Sequence, residues 1–565
     1  MCSIIFETHV YIRIYCSILF LYKVTGTIVT AASLLCNRVQ LKSCGNWVLY
    51  EEYNTQESFI STMTTSIKNQ PNLPWVVQKY GGTSVGKFLH TISSDITPFY
   101  LETKRVAIVC SARSGETKEK GTTNKLLKAT QSALEGKSRY LSIVNEILQD
   151  HLSTARQNIQ TPHILSWLEN QLEKEIINLG SFLQATEILG ELSPRSKDIV
   201  IGMGEKLACM IVAAALQDKG IDSELVVLND IIDREFTVLD QEFYDYLALR
   251  MGDIIKRCGN RIPVITGFFG NVPGSLLTSV GRGYTDLCAA LVAVGLNAHE
   301  LQIWKEVDGI FTADPRKVKS ARLLTIITPE EAAELTYYGS EVIHPFTMEQ
   351  VIRSSIPIRI KNVENPVGQG TVVFPDIPNS IPSSHITPPL SPTFLAKNGY
   401  HSDLSRKSPS AITVKDNICI INIHSNKKSV SHGFLAKIFS TLDDNNIIID
   451  LISTSEVHVS LVLGCDVPEH SFSKALGELK KLGKVNKKNH MAIVSLVGKQ
   501  MKNTVGVAAE MFSALASANI NIELISQGAS EINISCVVKE CDSITAMRVI
   551  HEKLLDAEPC VDSYF

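Results

Sequence analysis

The chain lacks a dominant charge: 54 Lys and Arg against 58 Asp and Glu leave a formal net charge of −4. A general nucleic-acid binder or a polybasic membrane binder needs clustered cations, so neither class fits. Cys-x-x-Cys pairs are missing too. The 13 cysteines are scattered from Cys2 to Cys560, which argues against zinc ligation and small disulfide scaffolds. Reduced thiols in a cytoplasmic protein are the expectation. There is no clean membrane-spanning run. Residues 11–36 are apolar and β-branched, but Arg13 and Lys23 divide them, and a span needs about 20 apolar residues. Three readings of this stretch stand: an extension or disordered leader, a targeting segment, or a membrane anchor. The first is preferred, because Met63 opens a short polar lead straight into the first convincing strand.

What the sequence does hold is ordinary globular material. Its 565 residues are 44% hydrophobic and 20% charged, enough for three to four domains at about 150 residues each. From Trp75 onward short β-rich runs recur, among them 75–80, 106–110, 263–269, 301–304 and 356–360, separated by segments of helical period. That alternation predicts an α/β domain with a largely parallel sheet, whose ligands sit beyond the C-terminal ends of the strands. Thr328-Pro329-Glu330-Glu331 marks a helix start, with an N-cap hydroxyl, a first-turn proline and a capping-box glutamate. Residues 375–410 hold seven prolines and eight serines and read as an exposed linker. Beyond it lies an internal repeat: 433–460 resembles 506–535, with Phe439 matching Phe512 and Leu451 matching Leu524 at one constant offset. Two small α+β modules follow, 411–488 and 489–565.

Several motifs carry chemistry. Lys79-Tyr80-Gly81-Gly82-Thr83-Ser84-Val85-Gly86-Lys87-Phe88 follows a strand, and its glycines let backbone N–H groups approach an anion. It misses a Walker A motif because Phe88 stands where the Mg²⁺-binding hydroxyl belongs. Lys79, just before the glycines, is well placed to pair with a transferring phosphate. Gly281-Arg282-Gly283-Tyr284-Thr285-Asp286 opens an apolar helix, whose N-terminus favours anions. No Rossmann fingerprint forms there, since the third glycine is missing. Gly202-Met203-Gly204-Glu205 lies in another apolar stretch, where Glu205 can hold a ligand ammonium or simply favour a helix dipole. The run from Trp304 to Arg316 mixes turn residues with charges and can flank a nucleotide or form a plain surface turn.

Taken in order, KYGGTSVGKF, SARS with GTTNKLL, GMGEKLA, TGFFG, GRGYTDLCAA, WKEVDGIFTADPR, YGSEVIHPFT and the paired C-terminal modules resemble aspartate kinase, the monofunctional fungal type above all. The resemblance runs from about Trp75 to about Leu555. It implies the amino-acid kinase fold over 75–374, a helix–sheet–helix sandwich, followed by two ferredoxin-like ACT modules. Residues 1–74 lie outside it. It further implies ATP and Mg²⁺, L-aspartate as acceptor, 4-phospho-L-aspartate as product, and the first step of threonine, methionine and homoserine biosynthesis. Roles carry over by motif. Lys79 stabilises the transferring phosphoryl group, and Asp286 organises the catalytic end by orienting it. Gly81 and Gly82 offer N–H groups to the phosphates, with Tyr80 and Ser84 close by. Thr123, Glu205 and Arg282 hold aspartate. Lys305, Glu306, Phe311, Arg316 and Glu341 flank the nucleotide.

Lys305 and Glu341 stand where bacterial members commonly carry a small polar residue and a lysine. Bifunctional members continue into a homoserine dehydrogenase, an activity not expected here. The resemblance also implies feedback inhibition, with threonine the usual fungal effector, and homo-oligomers built through ACT modules. Ser431 and Gly433 enter the first module's helix and, with Asp450 and Ser453, form the expected effector site. Two other readings compete: an amino-acid sensor of the same fold without turnover, or a kinase of glutamate. Retention of Lys79, Glu205, Arg282 and Asp286 opposes the first. The WKEV and GMGE contexts and the paired modules oppose the second.

Overall fold

The computed structural model describes residues 66–373 and 409–556, apart from 116–119, 271, 273, 282, 338–342, 344, 426–432, 456–457, 466, 500, 502–503 and 529–531, together with 40–43 and 46–49. Gln40–Ser43 and Asn46–Leu49 pair as an antiparallel hairpin inside the N-terminal unit, residues 1–64. The linker 375–408, Arg282, Glu341 and Ser431 lie outside the described residues.

The second unit begins at Thr65. Its first strands are β1 (Trp75–Tyr80), β2 (Arg105–Cys110), β3 (Ser223–Val226), β4 (Ile262–Thr266), β5 (Glu300–Lys305), β6 (Ile326–Ile327), β7 (Ile358–Asn362) and β8 (Thr371–Val373). They form one eight-stranded sheet in the order β3-β4-β2-β1-β5-β7-β8-β6. Every pair is parallel except β7 with β8. Helices α2 (Thr122–Leu134), α3 (Tyr140–Asn158), α4 (Pro162–Leu189) and α5 (Pro194–Asp218) cover one face. Helices α6 (Gln241–Lys256), α7 (Tyr284–Gly295), α8 (Pro329–Tyr337) and α9 (Pro345–Arg353) belong to the other. The α/β expectation therefore holds. α5 is long and apolar enough to cross a membrane, but most of it is buried inside the protein, as a core helix is.

Strand alternation sorts the side chains of β1. Val76 and Tyr80 join the core under α2–α5, and Val77 joins the core under α6 and α7. Lys79 follows the parity of Val77, so Lys79 and Tyr80 point to opposite faces.

The parallel-sheet unit also starts earlier than Trp75. Ile67 bonds the backbone of Gly220 and Asp222. Asn69, 1% exposed, accepts from the Val106 amide at 2.7 Å and donates to the Val106 and Arg261 carbonyls. The polar lead is stitched into the sheet edge by an amide side chain, which hydrophobic patterning does not register.

The C-terminal repeat folds as a six-stranded antiparallel sheet of β9 (Ala411–Ser425), β10 (Ile449–Thr454), β11 (His458–Gly464), β12 (Gly483–Val497), β13 (Leu524–Ser526) and β14 (Asn533–Lys539), ordered β10-β11-β9-β12-β14-β13. Its helices are α10 (Phe434–Asp443), α11 (Glu469–Leu482), α12 (Val507–Ser517) and α13 (Ser543–Leu554). β9 breaks register between Lys415 and Ile418. Before the break, Ile412 packs with Val494, Leu496 and Ile534; after it, Cys419 and Ile421 pack with Ile438 and Phe472. Ile412 and Val414 thus belong to the second repeat's core, although the repeat arithmetic assigns them to the first.

Candidate active site

Lys79 is the penultimate residue of β1 and Asp286 sits in the first turn of α7, where the helix dipole favours a carboxylate. Their side chains meet at 2.7 Å, with Lys79 Nζ against Asp286 Oδ1. Only 11% of the lysine side chain and 16% of the aspartate side chain is exposed. The pair thus keeps most of its electrostatic strength while still reaching the surface of the strand ends.

Glu205 lies on α5, 1% exposed. Its Oε1 accepts a hydrogen bond from the Thr285 hydroxyl at 3.0 Å. Its Oε2 has no partner of hydrogen-bonding geometry among the described residues. Burial pushes the Glu205 carboxyl up to about 7, against the opposing pull of Tyr284, Thr285, the Phe268 backbone and the Lys79 ammonium. A buried carboxyl with a spare oxygen, beside an immobilised lysine, is the arrangement that receives a ligand cation.

The glycine loop is shaped by close approach. A Cβ on Gly82 would stand 2.3 Å from the Ala112 carbonyl oxygen, and one on Gly86 would stand 1.9 Å from that of Ser114. No side chain fits, so the KYGG and SARS segments are locked face to face, with the Ser114 amide bonded to the Gly82 carbonyl. Gly81 caps α1 (Gly82–Lys87), whose first-turn N–H groups have no intrahelical acceptors. Ser84 on α1 donates to Glu306 Oε1 at 2.8 Å, tying this loop to the end of β5. Thr123 stands at the start of α2, half-buried. Its neighbour Thr122 packs against Gly204, one residue before Glu205.

One expected contact fails. Tyr80 is completely buried, stacked on Trp304 with ring centroids 6.0 Å apart, and its hydroxyl donates to Gln78 Oε1. Because its side chain faces the sheet core, it cannot touch a nucleotide. Arg316 stays apart from the Lys79 cluster, exposed and paired with Asp314 at 3.0 Å. Phe311 lines a cleft of about 260 Å³ with Asp308, Asn362 and Asn365. Asp308 Oδ1 accepts from both asparagines. Those asparagines, and Thr285 and Tyr284 around Glu205, were not picked out as site residues. Thr285 sits beside Asp286 inside a quoted motif, the one signal that pointed to it. Among the described residues no three His, Cys, Asp or Glu side chains gather as a metal site.

The amino-acid kinase family model matches residues 74–362, and an ACT domain model matches 494–554. A curated aspartokinase of Schizosaccharomyces pombe is 54% identical over 498 residues, covering 88% of this chain and 95% of its own. The chain belongs to the aspartokinase family. Its fold is that of the E. coli aspartokinase III structures. The complex with aspartate and ADP matches with a TM-score of 0.63 at 26% identity, covering 85% of this chain and 99% of that one. The complex with lysine and aspartate matches with a TM-score of 0.66 at 25% identity and the same coverage.

In the C-terminal sheet, Gly433 caps α10 at φ 82°, the left-handed region that favours glycine. Asp450 pairs with Lys415 at 2.6 Å, and its other oxygen has no hydrogen-bond partner among the described residues. Ser453 is exposed on β10.

Proposed function

We propose that the chain transfers the γ-phosphoryl group of ATP to the side-chain carboxylate of L-aspartate, giving ADP and 4-phospho-L-aspartate. The observation that carries this is the half-satisfied, buried Glu205 beside the Lys79–Asp286 pair. The substrate's ammonium binds Glu205 and favours its charged form. A carboxylate oxygen of aspartate attacks the γ-phosphorus. The bond from that phosphorus to the β–γ bridging oxygen breaks, and ADP leaves with the electron pair. Lys79 holds a fixed positive charge against the phosphoryl oxygens, and Asp286 keeps it aimed. Phosphoryl transfer gains most from such positioning and charge stabilisation. Mg²⁺ held by the nucleotide phosphates would supply further charge neutralisation and, since it retains waters, would need few protein carboxylates. Arg282 clamps a substrate carboxylate, and the Lys305–Phe311 segment flanks the nucleotide.

The same reading makes the C-terminal sheet a pair of ACT modules through which threonine inhibits, in a cytoplasmic homo-oligomer at the entry to threonine and methionine synthesis. Support comes from the repeat and from the apolar side chains that the first repeat leaves exposed, Leu435, Phe439, Ile448 and Ile452. A coupled ADP-release assay with aspartate or glutamate, each with and without threonine, tests all of this. ADP release with aspartate alone supports the reading; release with glutamate, or none, overturns it.

A further inference from the structure

The face of the sheet opposite Lys79 carries a polar ladder where aliphatic side chains would normally stand. The Tyr80 hydroxyl donates to Gln78 Oε1 at 3.1 Å, and Gln78 Nε2 donates to Gln302 Oε1 at 3.1 Å. Trp304 Nε1 shares that acceptor at 3.2 Å. Gln302 Nε2 donates to Glu300 Oε1 at 2.7 Å, and Arg359 Nε donates to Glu300 Oε2 at 2.7 Å. Gln78 and Gln302 are 0% and 1% exposed. Polar groups on central strands are costly to bury unless they are hydrogen-bonded, and this network satisfies them.

The ladder ends in a cleft of about 630 Å³, walled by Tyr100 and bordered by Lys104, His299, Arg359 and Lys361. None of Lys79, Glu205, Asp286, Glu306 or Phe311 lines it. Its charges do not balance. Arg359 and Glu300 neutralise each other. Lys361 is 6% exposed yet makes no ion pair among the described residues. It donates to the Tyr100 hydroxyl at 3.2 Å and lies 5.1 Å from the Trp304 ring centroid. Cation–π contact offsets only part of the cost of burying an ammonium. Burial, with Arg359 nearby, lowers the Lys361 pKa to about 8. Lys104 adds a second cation at the rim.

We propose that this cleft is a second ligand site, binding a small molecule that bears a phosphate or carboxylate group, with Lys361 and Lys104 pairing with the anion. Two positive charges with no carboxylate of their own on one cleft, at the end of a buried ladder, leave an oxyanion as the missing partner.

The test is calorimetric titration of the full-length chain at fixed ionic strength without Mg²⁺. Each probe is also titrated into Lys79→Ala, so that any heat from the phosphoryl-transfer site is told apart from heat at this cleft. The probes are inorganic phosphate, pyrophosphate and malonate. One site per chain is expected. Lys361→Met should weaken it by about tenfold or more, the loss expected for one charge-assisted hydrogen bond. Lys104→Ala, a change at the rim that leaves the core intact, should weaken it by about threefold. Turnover should stay within about twofold in both. Tighter binding of the phosphates than of malonate assigns a phosphate ester, and the reverse assigns a carboxylate. Equal affinity in wild type and Lys361→Met, or no heat with any probe, overturns the proposal.

Discussion

Two lysine–aspartate pairs of nearly equal length sit in different parts of this chain. Lys79–Asp286 spans 2.7 Å at the parallel sheet's strand ends, and Lys415–Asp450 spans 2.6 Å in the C-terminal sheet. The difference lies in what surrounds each. The first has a buried carboxyl, Glu205, and a glycine loop beside it. The second has Tyr337 beside it, whose ring lies 5.5 Å from Lys415 Nζ and whose hydroxyl donates to the Ile449 carbonyl. Tyr337 ends α8, so this pair touches the joint between the two domains. One geometry sits beside a buried carboxyl and a glycine loop, the other at a joint between domains.

The first pair carries the largest expected effect. Lys79→Ala should lower kcat by about 10²–10³-fold or more, since the lost charge acts on the transition state, with the far-UV circular dichroism unchanged. Near-normal turnover would reduce Lys79–Asp286 to a structural pair and dissolve the contrast.

Next comes the carboxyl beside it. Glu205→Gln should raise the KM for aspartate about tenfold or more while ATP binding, measured directly, stays nearly constant. Equal losses for both substrates would move Glu205 out of the aspartate pocket.

A pH series sharpens the same point. Glu205 binds its proton more tightly in the fold, near 7, than in an unfolded chain. The folded state therefore holds the extra proton between the ordinary glutamate range and about 7, and stability falls as pH rises through that window. Without substrate, wild type should lose Tm relative to Glu205→Gln from about pH 5 to 7.5. Saturating aspartate should flatten the difference. A pH-independent gap between the two proteins would contradict the burial argument.

The second pair should behave otherwise. Asp450→Asn and Gly433→Ala should relieve threonine inhibition while uninhibited turnover stays within about twofold. If millimolar threonine does nothing and lysine or methionine inhibits, the effector is wrong and the module reading stands. If no amino acid acts, the pair is only structural.

The smallest expected effect concerns the edge. Asn69→Ala should cost about 1–3 kcal/mol in stability, for two buried backbone groups left unpaired, with kcat unchanged in assays below the new Tm. A chain beginning at Met63 keeps Asn69 and should be fully active.

Buried hydrogen bonds join the two domains. Glu331 opens α8 as a capping-box glutamate, its Oε2 accepting from the Thr328 amide and hydroxyl. The capping box was legible in the sequence. Its other oxygen accepts from Ser410 at 2.5 Å and from the Lys499 amide at 2.9 Å. That link was not legible, because it joins residues from two domains. His551 is the same kind of case. It is fully buried on α13, 2.8 Å from the Thr312 hydroxyl of the catalytic unit, and no local pattern announces it.

Linear order determined much of this protein. Period and turn residues set the alternation of strands and helices. Ordered motifs named Lys79, Glu205 and Asp286 as one site, and the repeat announced a doubled C-terminal unit. Those features are local, so propensity, capping and glycine placement encode them within short windows. Tertiary structure decided the rest. It turned Tyr80 into the core opposite Lys79, gave Ile412 and Val414 to the second repeat's core, and stitched Asn69 to the sheet edge. It also gathered Lys104, Arg359 and Lys361 around one cleft. Each of these depends on which strand lies beside which, and side chains distant in sequence meet only once the sheet order exists.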